Sequence, residues 1–347
     1  MTTLDDLLRA ELPVASVYLQ APSGEFGAAH RFETAWKNAR RDLAAAGAPD
    51  DVLEQLDVAI DGTSHDVAPA VALFADGDRP AVVEPLDDAL DGDVVAFDSV
   101  PHVVPLLHTH QRTVPHVMVM TDRTGADIVA VVDGDVGEPE SVDGTDHHIH
   151  RGRFGGWSHR RIQQRAENRW EDNARDVAER VDQIARQVDA QLVVVAGDVR
   201  ARQFVMEHLD HRTRDIAAVV EAGDADGVAT ETVRLVADVV ARATKRLLAE
   251  HADHLGAGTA VSGAEAVCRA LTEGRVRTLL VVDDVDDDRR GHFATDGSPA
   301  CSTEAVDEMA EGRLVDVMVR AALLTDAEVR VVPATVLDED LGAILRW

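Results

Sequence analysis

Residues 146–170 read DHHIHRGRFGGWSHRRIQQRAENRW and concentrate the residue types that hold a polyanion. Arg151, Arg153, Arg160, Arg161, Arg165 and Arg169 stand against only Asp146 and Glu167, on a chain whose formal net charge is −30. Planar guanidinium forks match phosphate oxygens two at a time. Phe154 and Trp157 offer ring faces on which unpaired bases stack. Gly155 and Gly156 let backbone N–H groups approach a substrate with no Cβ in the way. The segment then enters a helix N-terminus, which also favours anions. A basic, glycine-hinged, aromatic segment on an acidic chain is the pattern of an RNA contact. The alternative is a surface loop followed by an arginine-decorated helix face.

Other residue types in the chain support weaker readings. His147, His148, His150 and His159 are near enough in sequence to ligate a metal. No cysteine is close and no HExxH pattern is present, so they read as titratable members of a polar loop. His108 and His110 read as strand-end residues. Asp122, Asp127 and Asp133 lie on or near two strands, where a carboxylate cluster could hold two divalent ions for phosphodiester cleavage. They also sit where turn residues belong. The acidic run from Asp283 to Asp288 fits no calcium-loop spacing and reads as a solvated loop. The chain has no Walker sequence, no GxGxxG opening a helix and no GxSxG elbow.

The elements that must position these residues fall into three blocks. At roughly 150 residues per domain, 347 residues allow two or three domains. The first block, 1–112, reads as an N-terminal α/β domain. It has a strand in LPVASVYLQA, through Val14, Ser16, Val17 and Leu19, a helix over 28–45 with Phe32, Trp36, Ala39 and Leu43 at helical spacing, and a second helix over 51–60. Two short strands follow around Gly77-Asp78, and VVAFDSVPHVVPLL reads as a strand with its connection. The second block, 113–225, opens on paired strands, HVMVMTD and GADIVAVVDGD. After the arginine-rich loop, Ile162, Ala166, Trp170, Ala174, Val177, Val181, Ile184 and Val188 mark one long helix over 158–189. QLVVVAGD, a helix over 201–209 and DIAAVVEAG complete a layered α/β domain. The third block, 226–347, alternates helices at 230–251, EAVCRALTEG and RLVDVMVRAALLT with strands VRTLLVVDD and EVRVVP. A polar loop spans 283–304. This is an α/β/α sandwich, and the fold class of the whole chain is α/β.

Composition limits the setting. The chain is 45% hydrophobic but only 3% aromatic, so its cores must be aliphatic. It has no run of eighteen apolar residues and no basic segment leading into an apolar stretch at the N-terminus, so neither a membrane span nor a signal peptide is expected. Cys268 and Cys301 are its only cysteines, too few for a disulfide framework or a cysteine-rich metal site. These features point to the cytoplasm.

Gly155-Gly156-Trp157-Ser158, followed by Arg160 and a long helix, resembles the Gly-Gly-Gln loop of archaeal and eukaryotic class-I release factors. EAVCRALTEGRVRTLLVVDD resembles the start of the release-factor C-terminal domain, and the ending Leu341-Gly342-Ala343-Ile344-Leu345-Arg346-Trp347 resembles its Gly-Ile-Leu-Arg-Tyr terminus. The match runs in order over 113–347. The chain thereby resembles the bacterial archaeo-eukaryotic release factor family, which includes stasis-associated and Balon-like ribosome-binding proteins. The resemblance implies three domains, with an RNase H-like middle domain (113–225) and an L7Ae/L30e-like C-terminal domain (226–347). It implies a ribosome partner, with 23S rRNA at the A site, and a loop reaching the peptidyl-transferase centre. It also implies elongation factor Tu as the accompanying GTPase. The RNA-binding residues would be Arg151, Arg153, Phe154, Gly155, Gly156, Trp157, His159, Arg160, Arg161, Arg165 and Arg169. No cofactor, metal, membrane or DNA is expected.

Two departures shape the functional expectation. Trp157 stands where hydrolytic members carry Gln, and Gln163 and Gln164 lie about two helical turns further on, so a non-hydrolytic factor for stasis or stalling is expected. No Asn-Ile-Lys-Ser motif occurs in the first block, where Lys37 is the only lysine, so stop-codon decoding is not expected. Gly155, Gly156 and Trp157 would form the catalytic tip if the loop is active. That alternative is a peptidyl-tRNA hydrolase or a tRNA-cleaving rescue enzyme. Two others are a metal-dependent RNase H-like nuclease and a protein-interaction scaffold.

Overall fold

A computed structural model of the chain describes residues 13–21, 28–62, 68–86, 88, 90, 92–143, 157–222, 225–284, 287–334, 337 and 340–347; the side chains at 28, 143 and 157–170 are not part of the description. The described residues divide into two compact units. One combines the N-terminal residues up to Gln111 with Thr244–Trp347, and the other is Arg112–Ala243.

In the first unit, β1 (Val14–Gln20), β2 (Ala70–Ala75), β3 (Val82–Leu86) and β4 (Val94–Asp98) form an antiparallel sheet in the order β3-β2-β1-β4. Helices α1 (Ala28–Ala45) and α2 (Asp50–Asp61) follow β1 in the chain, and α3 (Val104–His110) follows β4. Side chains alternate across a strand, so β1 serves two cores. Ala15, Val17 and Leu19 pack with Phe32, Trp36, Leu43, Leu53 and Leu56 of α1 and α2. Val14 and Tyr18 belong to a different core, shared with residues from the C-terminal part of the chain. Burial on both faces explains why VASVYL is buried without a break.

The second unit is built on β5 (His116–Thr121), β6 (Gly125–Val132), β7 (Asp135–Val136), β8 (Glu140–Asp143), β9 (Leu192–Gly197) and β10 (Ala217–Val219). Its helices are α4 (Trp157–Gln187), α5 (Val199–His208) and α6 (His211–Asp215). The sheet order is β10-β9-β5-β6-β7, and β8 also pairs with β6. β5 and β6 are antiparallel, whereas β9 is parallel to β5 and β10 to β9. An antiparallel meander on one side of the first strand, with two parallel strands on the other, is the RNase H-like arrangement that the resemblance implies.

Helix α7 (Ala225–Ala257) contributes to both units. Val228 and Val236 pack with Leu192, Val194 and Ala196 of the second unit. Leu247 and Leu248 pack against Leu280, Val282 and Val332 of the first.

The C-terminal part carries β11 (Ala260–Ser262), α8 (Ala264–Thr272), β12 (Val276–Val282), β13 (Arg290–Phe293), β14 (Cys301–Ser302), β15 (Ala310–Arg313), α9 (Leu314–Leu324), β16 (Glu328–Val332) and β17 (Leu341–Leu345). The main sheet has the order β11-β17-β12-β16, and β14-β13-β15 forms a small one. The ending LGAILRW is therefore a central strand: Leu341 to Leu345 are all buried, while Trp347 is exposed. β16 lies at the sheet edge, where unpaired backbone invites association. Gln111 covers part of it: Nε2 donates to the Val329 carbonyl at 2.8 Å, and Oε1 accepts from the Val331 N–H at 2.8 Å.

The shared core joins Tyr18, Phe74 and Leu106 to Leu271, Leu279, Met318 and Leu341. A buried polar chain runs through it. The Tyr18 hydroxyl donates to the His102 carbonyl at 2.6 Å, and the His102 N–H donates to Ser16 Oγ at 3.0 Å. His102 Nδ1 lies 3.0 Å from both oxygens of Asp316, and Arg313 Nη1 lies 3.1 Å from His102 Nε2. A carboxylate only accepts, so Nδ1–H donates to Asp316, and Arg313 Nη1 also lies 3.4 Å from Nδ1. The buried Asp316 charge is thus linked to a cation through an imidazole, as a buried carboxylate requires.

Three expectations need correction. His108 and His110 lie in the last turn of a helix, α3, rather than at a strand end, because only 94–98 of that stretch pairs in the sheet. The 283–304 segment is not all loop, since it contains β13 and β14. Asp283 and Asp287 are not solvated: their side chains are 17% and 12% exposed, Asp283 facing His108 at 3.4 Å and Asp287 facing Arg289 at 2.7 Å.

Candidate nucleic-acid interface

The arginine-rich segment is held between two described elements. It leaves the sheet at Asp143, the end of β8, and re-enters described structure at Trp157, the first residue of α4. Arg151, Arg153, Phe154, Gly155 and Gly156 lie outside the described residues, as do His147, His148 and His150. Trp157, His159, Arg160, Arg161, Arg165 and Arg169 lie on the α4 backbone with their side chains outside the description. The glycine pair therefore abuts a helix N-terminus directly, one residue earlier than the hydrophobic spacing places it.

Both stems of the segment are fixed to the same sheet. β8 pairs antiparallel with β6, its last residue Asp143 opposite Gly125. Arg180 of α4 forks onto Glu140 of β8, with Nε to Oε1 and Nη2 to Oε2 both at 2.5 Å. This hydrogen bonding holds the Glu140 carboxyl below the usual carboxylate range and raises Arg180. Asn173 Nδ2 donates to the Arg123 carbonyl at 3.4 Å, tying α4 to the turn between β5 and β6. From Ala174 onward α4 is a core helix: Ala174, Val177, Ala178, Val181, Ile184 and Ala185 pack on Val117, Val119, Val193 and Val195. At about 1.5 Å per residue, roughly 24 Å of helix separates Trp157 from Asn173.

The top of the sheet is built to close tightly beside this helix. Gly197 ends β9 with φ +111°, and a Cβ there would lie 1.9 Å from the Thr121 carbonyl oxygen of β5. Only glycine fits that approach. The chain can then turn at once into α5, whose N-cap Asp198 accepts from the Arg200 and Ala201 N–H groups at 2.9 and 3.2 Å. Burial pushes the Asp198 carboxyl up, but those backbone donors and Arg123, 3.3 Å away, hold it below its usual range.

The carboxylates considered for metal-assisted cleavage are engaged locally. Asp122 Oδ1 accepts from the Thr124 hydroxyl at 2.7 Å, the Thr124 N–H at 2.6 Å and the Gly125 N–H at 3.0 Å. The Thr124 hydroxyl is the largest cause of its lowered pKa. Asp127 accepts from Ser141 at 2.6 Å, and Asp133 takes φ +52° in the turn between β6 and β7. These are turn and strand-edge roles, and no group of three or more His, Cys, Asp or Glu side chains able to hold a metal occurs among the described residues. No helix among them is long and apolar enough to cross a membrane.

The sequence reading missed the residues that fix the stems, namely Glu140, Arg180, Asn173 and Asp198. Only Asp198 carried a local signal, an Asp just ahead of a helical stretch. The Glu140–Arg180 pair bridges 40 residues, and nothing in either one's neighbourhood announces the other.

Residues 115–260 match bacterial archaeo-eukaryotic release factor family 2. The uncharacterised protein Rv2629 of Mycobacterium tuberculosis is 29% identical over 291 residues, covering 79% of this chain and 76% of its own length. Similar solved structures include the archaeal translation termination factor aRF1, at 17% identity, covering 100% of this chain and 96% of that one with a TM-score of 0.26. Another is archaeal Pelota, from a model of ribosome-bound Pelota and ABCE1, at 14% identity, covering 99% and 94% with a TM-score of 0.45. Residues 115–260, which hold the sheet, both stems and the Gly155-Gly156 segment, are thus the part of this chain that is similar to the bacterial archaeo-eukaryotic release factor family.

Proposed function

We propose that this protein is a ribosome-associated, release-factor-like translation factor. Its arginine-rich segment enters the A site and reaches the peptidyl-transferase centre. The reading rests above all on one observation: a glycine pair in a basic segment abuts the start of a 31-residue helix, inside the part of the chain that matches the release-factor family. Arg180 and Asn173 brace the base of that helix, which suits a probe that must keep its direction against a charged surface. Arg151, Arg153, Arg160, Arg161, Arg165 and Arg169 would grip 23S rRNA phosphates. Gly155 and Gly156 would shape the tip, with Phe154, Trp157 and His159 lying against bases. The role is occupancy during stasis or stalling without stop-codon decoding, with a translational GTPase such as elongation factor Tu as companion.

Trp157 carries the non-hydrolytic part of the proposal. Its indole offers one donor, in place of a Gln amide that both donates and accepts, and it fills more space. Two measurements test the reading separately. Replacing Arg160, Arg161 and Arg165 by Glu should weaken co-sedimentation with ribosomes. Each phosphate that is no longer neutralised should take roughly 0.7–0.9 from the log–log salt slope. Unchanged binding across salt would overturn the ribosome assignment. Peptide release from loaded ribosomes at the rate of a true release factor would overturn the occupancy role and favour a peptidyl-tRNA hydrolase.

A further inference from the structure

The chain has two cysteines, and the fold brings them together. Cys268 lies on α8 and Cys301 on β14, 33 residues apart in sequence, with Sγ atoms 2.7 Å apart and both thiols free. Both side chains are buried, Cys268 at 3% and Cys301 at 8% exposure. The two thiols are chemically unequal. The Cys268 S–H donates to Cys301 Sγ, while the Cys301 S–H donates to the Cys268 carbonyl at 3.4 Å. The bond from Cys268 lowers the Cys301 pKa against the opposing effect of burial, and the Thr272 hydroxyl 3.9 Å from that sulfur adds to the lowering. The same hydrogen bond, with burial, pushes the Cys268 thiol up. Of the two, Cys301 is the more readily deprotonated, and Cys268 holds its proton more tightly, the inequality that thiol–disulfide exchange uses.

Access is also unequal. β14 is an edge strand of two residues, paired to β13 only through Ser302 opposite His292 and Cys301 opposite Phe293. Such a short edge opens locally at far lower cost than the core around α8. Cys301 is therefore the thiol that meets solvent first.

We propose that Cys268 and Cys301 form a reversible redox site that closes to an intrachain disulfide when the protein meets a small-molecule disulfide. The Cys301 thiolate attacks one sulfur of that oxidant, forming a mixed disulfide and expelling one thiolate. Cys268 then loses its proton, its sulfur attacks Cys301 Sγ, and the second thiolate leaves. Two protein thiols and one disulfide oxidant become one protein disulfide and two small thiols. A disulfide needs sulfurs at about 2.05 Å, so closure moves them by well under one ångström. The product would staple the small β14-β13-β15 sheet to α8, on which Val267 and Leu271 are fully buried. The proposal is independent of the ribosomal reading.

The test uses the full-length protein and glutathione disulfide, followed by acid quenching, intact mass measurement and non-reducing peptide mapping. The expected product has lost two hydrogens and both alkylatable thiols, and joins the peptides of Cys268 and Cys301. Reduction with dithiothreitol should restore both thiols. Cys268→Ser should instead stop at a single glutathione adduct on Cys301. The wild-type measurement stands even if that variant fails to fold. Two thiols still alkylatable after unfolding, persistent glutathione adducts on the wild type, or interchain dimers would each overturn the proposal.

Discussion

Tyr18 is the only tyrosine in the chain, and it lies fully buried in the core shared by the N- and C-terminal parts. Its ring meets Phe74 edge-on, with centroids 5.8 Å apart and an interplanar angle of 87°. Burial is the largest force raising its pKa well above the ordinary phenol value. The negative charges of Asp316 and then Asp283 add to it, against a smaller lowering from the Leu106 backbone. The unfolded chain should ionise this phenol near pH 10. As pH rises past that point, the unfolded state gives up a proton that the folded state keeps. Stability from this group is therefore complete below about pH 10, and above it falls by about 1.4 kcal/mol per pH unit until the raised value is reached. The single tyrosinate band reports the event directly, because no other tyrosine contributes. In an alkaline titration, tyrosinate absorbance and loss of far-ultraviolet circular dichroism should rise together, well above pH 10. Tyr18→Phe should lose the hydrogen bond to His102 and leave that carbonyl unpaired, at a cost of roughly 1–3 kcal/mol near neutral pH. The variant should also lose the part of the alkaline slope that Tyr18 supplies. A tyrosinate transition near pH 10 in a protein with intact secondary structure would refute the buried placement of Tyr18.

Further expectations follow from other residues. Gly197→Ala should cost well over the roughly 1 kcal/mol of an incompatible backbone conformation, because its Cβ would overlap the Thr121 carbonyl. Gly258→Ala, at φ +74° with nothing within 4 Å, should cost only about 1 kcal/mol; equal urea midpoints for the two would be the wrong result. His102→Ala removes the donor to buried Asp316 and should lower stability by about 3–5 kcal/mol, measured by denaturant unfolding. Asp210, capping α6 through the Thr213 N–H and paired with Arg186, has its pKa held at about 2. Its contribution should be complete above about pH 4 and fade as pH falls towards 2, which carboxyl titration by NMR would follow.

Much of the fold was legible because its signals are local. The Phe32, Trp36, Ala39 and Leu43 spacing gave α1 its observed limits, and Ala174 to Ile184 gave the core face of α4. Short apolar runs marked β2, β9 and β12, since buried strands need them. What stayed hidden depends on partners far away in sequence. PHVVPLL reads as extended beside a strand, yet α3 forms where Val104 and Leu106 join the shared core. Cys268 and Cys301 looked like two unrelated thiols until α8 and β14 met. Asp316 and Arg320 look misplaced in the apolar run of α9. Asp316 is explained by His102, more than two hundred residues earlier, and Arg320 by the ring of Phe293, 4.9 Å from its guanidinium carbon. The arginine-rich segment was legible as chemistry, whereas the bracing of its stems was not.

The length of the α4 stalk bears on how an acidic protein could hold RNA. The middle sheet carries Asp122, Asp127 and Asp135 on its strands and turns, and such charges repel phosphate. Roughly 24 Å of helix separates Trp157 from the level of Asn173. At physiological ionic strength the screening length is about 8 Å, so repulsion from the sheet has decayed several-fold at the tip, where on the proposed function the arginines would touch phosphate directly. At 0.01 M salt the length is about 30 Å, and the same carboxylates reach the tip. On the proposed function, lowering salt should first tighten RNA binding with the slope set by the contacting arginines. Below roughly 0.05 M the gain should flatten as unscreened repulsion grows. Equilibrium binding to isolated large subunits at fixed magnesium, measured across monovalent salt, would resolve the curvature. A straight log–log line down to the lowest salt would show that the acidic body never feels the RNA, and the argument from stalk length would fail.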